Sequence, residues 1–264
     1  MLPIYDVIQI EDFIDEKSGR TKPWVVFANT PEGLKTYVVK LFTTAQINSF
    51  CLNNEVICNF LATEFELPVP KCVLLNIPEE ITMNLEPEHQ QQYYNADPRP
   101  KFATELISDV NSAILGLPKS IYKNRIEIDT TYGFDNLIRN YDRGQIKTNL
   151  LLSAESAYLI DHELAFNPKY IADINFNSFY IEDNFSKYHL FYSYLKQSTF
   201  KSKSSYFEEF EFFLNSLNVN KLNEYFHFLY NEGFPNNQSE IMAWLAQVKQ
   251  NIRKFVELLR ISIQ

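Results

Sequence analysis

Glycine is scarce in this chain, with six in 264 residues. No G-x-G-x-x-G segment can be found, so any phosphate this protein holds is held without that glycine-rich device. Cysteine is scarcer still. Cys51, Cys58 and Cys72 form an odd set with no CxxC or Cys/His ligand spacing, which argues against a disulfide framework and a structural zinc site. Cys51 and Cys58 lie one heptad apart in a predicted helix and read as small buried apolar side chains. No apolar run approaches the ~18 residues of a membrane span. Acidic residues appear by position 6 with no apolar h-region, so the start does not read as a signal peptide and the expected location is cytoplasmic. A basic surplus is also missing. The net charge is −9, which speaks against nonspecific nucleic-acid binding, and no basic patch marks a membrane surface. Lys119 to Arg125 and Lys201 to Lys203 read as solvated surface.

What is present is apolar and aromatic: 45% hydrophobic residues, with 22 Phe and 16 Tyr. That supplies one large domain or two lobes with a substantial core and excludes disorder as the default. Residues 24–29 and 36–42 predict two strands joined by the turn Thr30-Pro31-Glu32-Gly33. A helix is expected over 45–65, ended by Leu67-Pro68-Val69-Pro70, and strands over 73–77 and 102–107. Residues 78–100 are polar and proline-rich and read as an insertion or loop of uncertain order. Helical pattern returns at 132–139, two short apolar runs follow at 150–152 and 157–160 with Ser153-Ala154-Glu155-Ser156 as their turn, and the remainder reads as helices. The clearest runs from about Ser239 to Ile263, with one apolar stripe. The expected fold class is therefore α+β, with a β-rich first lobe over 1–104 and a helical second lobe over 105–264.

Five polar residues stand out in order. Lys40 sits late in a strand, on the face it shares with Val38, where its ammonium can reach phosphate oxygens. Glu55 lies fifteen residues on, in the helix, where it can hold that ammonium in place. Asp142 follows a helix and can accept a hydrogen bond from a substrate hydroxyl. Asn149 offers a neutral oxygen ligand and Asp161, at the end of an apolar strand, an anionic one, as Mg²⁺ prefers. Each alone has an ordinary alternative: an edge-strand lysine, a solvated glutamate, an Asx turn. Together, in this order and on these elements, they are the set that phosphoryl-transfer enzymes use.

Tyr37–Lys40, Asn54-Glu55, Leu67–Pro70, Phe134-Asp135, Asn140–Arg143, Asn149–Leu151 and Leu159–His162 resemble the HipA-like kinase domain, over about residues 8–168. Phe255–Arg260 is similar to the family's final helix. The resemblance implies a bilobal protein-kinase-like fold with ATP and Mg²⁺ in the cleft. It implies that Lys40 binds phosphate, Glu55 pairs with it, Asp142 is catalytic, and Asn149 and Asp161 hold the metal. Thr104 to Ile107, including Glu105 and Ile107, would form the hinge near adenine. Lys17 to Lys22 would cover the phosphates, with Lys22 the contacting cation and Ser18 or Thr21 open to autophosphorylation. Asp142 and Asn149 are seven positions apart, a longer step than the H-R-D-x-x-x-x-N loop of ordinary protein kinases, and the HipA-like group is similar in having it. Glu163 stands where a glycine often follows.

The implied function is ATP- and Mg²⁺-dependent phosphorylation of a protein Ser/Thr hydroxyl, in a toxin–antitoxin or defence setting with an operon-encoded partner. Two alternatives stay open. One is a pseudokinase-like module that binds nucleotide or a partner without turnover, and the other is the same fold transferring AMP or phosphorylating small molecules.

Overall fold

The computed structural model describes residues 2–14, 22–144, 147–171, 174–178, 180–181 and 187–264. The chain forms two compact units. One comprises Met1–Ile57, Pro70–Ser108 and Leu222–Asn236; the other comprises Cys58–Val69, Asp109–Lys221 and Asn237–Gln264. The secondary structure is mixed α+β, sheet-rich toward the N-terminus and helical toward the C-terminus.

In the first unit five strands close into a barrel in the order β1-β2-β3-β5-β4. They are β1 (Ile4–Phe13), β2 (Trp24–Thr30), β3 (Gly33–Lys40), β4 (Cys72–Asn76) and β5 (Lys101–Glu105). β2 and β3 form the expected hairpin, turning through Pro31-Glu32, and Gly33 takes the positive φ of 110° that this exit needs. β3 ends at Lys40, two residues short of the predicted 42. Trp24, Val26, Tyr37, Val39, Val73, Leu75 and Ala103 point into the barrel and are buried. Period-two alternation therefore turns Val38 and Lys40 to the outer face.

On that outer face Phe42, Ile47, Leu52, Val56, Leu74, Phe102, Leu229 and Phe234 form a second core cluster. The predicted helix over 45–65 is two helices, α1 (Thr44–Asn48) and α2 (Cys51–Glu64). Thr43 and Gln46 close a capping box at the start of α1. Phe50 adopts φ 65°, outside the helical region, and so divides the pair. The expected loop at 78–100 contains a helix, α3 (Pro87–Asn95), with proline at its first position. Its Gln92 accepts the Trp24 indole N–H at 2.9 Å, and the Tyr93 hydroxyl donates to the Ile77 carbonyl at 3.0 Å.

The second unit is built around α5 (Ile128–Leu137), preceded by the single turn α4 (Lys119–Tyr122). Phe65 stacks on Phe210 with ring centroids 5.4 Å apart and meets Phe134 at a tilt, 5.6 Å away. A three-stranded sheet joins β6 (Asn111–Ser112), β7 (Leu150–Leu152) and β8 (Ala157–Leu159) in sequence order. β8 stops at Leu159, so Asp161 lies past the strand rather than at its end. A short ribbon, Ile174–Asn175 against Tyr180–Ile181, interrupts what was expected to be all helix. The long C-terminal helix is also two, Gln238–Gln250 and Ile252–Ser262, meeting at Asn251. Most of its predicted stripe is buried nonetheless, including Ile241, Trp244, Val248, Phe255 and Leu259, and Trp244 donates to the Leu137 carbonyl at 2.7 Å. Among the described residues no helix is long and apolar enough to cross a membrane.

Candidate active site

Lys40 and Glu55 meet within the first unit. β3 lies between β2 and β5, so Lys40 is not on an edge strand, and its side chain is 15% exposed. Its Nζ sits 2.5 Å from Glu55 Oε1, whose side chain is 3% exposed. A carboxylate that deep is costly without a cation, and the ammonium supplies one. The pair fixes the position of the ammonium, since β3 sets the lysine stem and α2 sets the carboxylate.

Asp142, Asn149 and Asp161 come together within the second unit. Asn149 donates its side-chain N–H to Asp142 Oδ2 at 3.0 Å and to the Asp142 carbonyl at 3.2 Å. That leaves the Asn149 side-chain carbonyl oxygen to act as a ligand. Lys147, which the sequence reading did not single out, places Nζ 2.9 Å from Asp161 Oδ2 and 3.5 Å from Asp142 Oδ2. Burial opposes its charge, but the carboxylates of Asp161 and Asp142 raise its pKa above the ordinary lysine value. Asp161 and Glu163 also offer carboxylate oxygens within 4.8 Å of each other. Glu163 is thus more than a replaced glycine, because it adds a buried acid to this corner. Asn149 and Asp161 both have left-handed backbone, with φ 46° and 62°. Such conformations cost energy for non-glycine residues and concentrate at functional sites.

The remaining predicted residues are placed elsewhere. Lys22 pairs with Glu88 of α3 at 2.5 Å, and Gln92 donates to its carbonyl at 2.6 Å. Residues 17–21, including Ser18 and Thr21, lie outside the described residues. Glu105 closes β5 and pairs with Lys35 at 3.0 Å. Ile107 lies two residues further on, half-buried, outside any strand or helix.

A family model described as HipA-like kinase matches residues 10–219. The chain belongs to the HipA-like kinase family. The matched span contains Lys40, Glu55, Asp142, Asn149 and Asp161; it runs past residue 168 and stops short of Phe255–Arg260. No curated protein matches the chain. For a HipA-like kinase the class of chemistry indicated is phosphotransfer, which in general uses ATP and a divalent metal. The second unit of this family member fits such a metal. Asp161 and Glu163 offer hard carboxylate oxygens that could bind it, and the Lys147 ammonium against Asp161 marks the place as one that accepts positive charge.

Proposed function

We propose that this HipA-like kinase is an ATP- and Mg²⁺-dependent enzyme that phosphorylates a Ser or Thr hydroxyl on a protein. The proposal includes a bilobal protein-kinase-like fold with lobes over 1–104 and 105–264. The observation that carries it is the contact of Asn149 and Lys147 with the Asp142 carboxylate, beside Asp161.

In this reading Asp142 accepts the hydrogen bond of the acceptor hydroxyl and orients its oxygen for attack. Asn149 fixes the Asp142 rotamer through its N–H while its own oxygen, with Asp161 and Glu163, would hold the metal. When bound, Mg²⁺ neutralises charge on the phosphate oxygens. Lys40, tethered by Glu55, binds phosphate, and Lys22 with its neighbouring loop covers it. Glu105 and Ile107 stand by the adenine. Little covalent work falls to the protein; positioning and charge placement supply the rate. A toxin–antitoxin or defence setting, an operon-encoded partner and a cytoplasmic location are proposed on the family relationship and the sequence.

The test is transfer from labelled ATP to the protein itself or to a cellular extract. Mg²⁺-dependent labelling is expected. Asp142→Asn should lower it roughly 10²- to 10⁴-fold, and Asp161→Ala should abolish metal-dependent nucleotide binding. Binding without labelling would replace this reading by a pseudokinase-like one, and an AMP adduct by intact mass would change the reaction.

A further inference from the structure

The site residues of the second unit stand on irregular backbone, and one buried side chain touches that backbone at several points. Arg143 follows Asp142 directly and is completely buried. Its Nη1 donates to the carbonyl of Asn149 and, at 3.4 Å, to that of Ile160, the residue before Asp161. Its Nη2 donates at 3.0 Å to Nε2 of His162, the residue after Asp161. Its Nε donates to Asp135 Oδ2 at 2.7 Å. One planar guanidinium thus reads both left-handed positions, Asn149 and Asp161, from their peptide groups. The Ile160 N–H also donates to the Asn149 carbonyl at 3.1 Å, which ties the two positions to each other.

Asp135, on α5, anchors the guanidinium and is itself fully buried. Burial alone would raise its carboxyl, but Arg143 and His189 overcome that and bring it down to about 2. His189 Nε2 lies 2.9 Å from Asp135 Oδ2, and the Phe191 N–H donates to His189 Nδ1 at 3.1 Å. These partners require the tautomer with hydrogen on Nε2. The other Asp135 oxygen accepts from Asn140 at 3.1 Å, and Asn140 in turn accepts the Asp142 N–H at 3.3 Å. Asp135 therefore reaches Asp142 from both sides, through Asn140 before it and Arg143 after it.

We infer that Arg143, anchored by Asp135, is the positioning residue that holds Asp142, Asn149 and Asp161 in their working arrangement. The inference rests on the kinase reading of those three residues. It assigns Arg143 no contact with substrate. The guanidinium fork is what matters, because it serves three acceptors besides Asp135 at fixed angles. A lysine ammonium in its place would keep the ion pair and lose that geometry.

The experiment compares wild type with Arg143→Lys, and with Asn140→Ala as the milder change. Melting temperature, Mg²⁺ dependence of phosphorylation and amide exchange over residues 149–162 are read together. Arg143→Lys should fold, raise the Mg²⁺ needed for half-maximal activity roughly 10- to 100-fold, and speed exchange at the Ile160 amide. Guanidinium added to Arg143→Ala should restore part of the loss. Wild-type Mg²⁺ dependence and exchange in a folded Arg143→Lys would overturn the inference. So would losses that follow global stability alone. A wild-type protein with no Mg²⁺-dependent transfer would sink the kinase reading instead, and exchange over 149–162 would still decide whether Arg143 holds that backbone. Should Arg143→Lys fail to fold, unchanged Mg²⁺ dependence and exchange in Asn140→Ala would count against the network.

Discussion

Lys40 and Glu55 stand on a strand and a helix, whereas Asp142, Asn149 and Asp161 stand on backbone that belongs to neither. The first pair is placed by two ladders of main-chain hydrogen bonds, and one salt bridge completes it. The second set lacks such ladders and has instead a buried polar core in which Asp135, Arg143, His162 and His189 satisfy one another. A charge pair held by regular structure takes its position from the elements that carry it. Three groups held in loops need a network, and every member of it must be paired.

The largest expected effect on stability tests the simpler arrangement. Lys40→Ala leaves the Glu55 carboxylate buried without its lysine and should cost about 3 kcal/mol in denaturant unfolding. An unchanged midpoint would mean that the pair is not what places Glu55. The next tests the network through pH. The Asp135 carboxyl is near 3.8 unfolded and about 2 folded, so its stabilisation is fully present above pH 3.8 and is lost as pH falls toward 2. The amount is about 2 kcal/mol, and Asp135→Asn should remove that segment of the acid-unfolding curve. The smallest effect concerns Lys22, whose pairing with Glu88 is exposed. Lys22→Ala should alter stability by less than ~0.5 kcal/mol while raising the KM for ATP. A stability loss without a KM change would make Lys22 part of the barrel's outer support instead.

The parts of this chain legible in the sequence are those where local pattern and tertiary role agree. The β2–β3 hairpin, the face that Lys40 shares with Val38 and the apolar stripe ending at Ile263 follow from period and turn chemistry. β1 escaped notice because irregularities between Val7 and Gln9 and between Ile10 and Asp12 break its alternation, and acids occupy its exposed side. α3 escaped because its glutamines and tyrosines give little apolar contrast. The break at Phe50 is a positive-φ backbone conformation, which helix propensity does not register. At the candidate site, the pairing of Lys40 with Glu55 followed from residue type and order. The support did not: Asp135 and His189 are 54 residues apart, and nothing local announces their contact.

Barrel closure depends on Ile4, Tyr5 and Asp6 lying parallel to Leu74, Leu75 and Asn76. During synthesis β1, β2 and β3 emerge first, as a sheet with two open edges. Neither edge is covered until β4 and β5 follow more than thirty residues after β3 ends at Lys40. For that interval open strand edges face neighbouring chains on a polysome, the kind of edge that pairs between molecules.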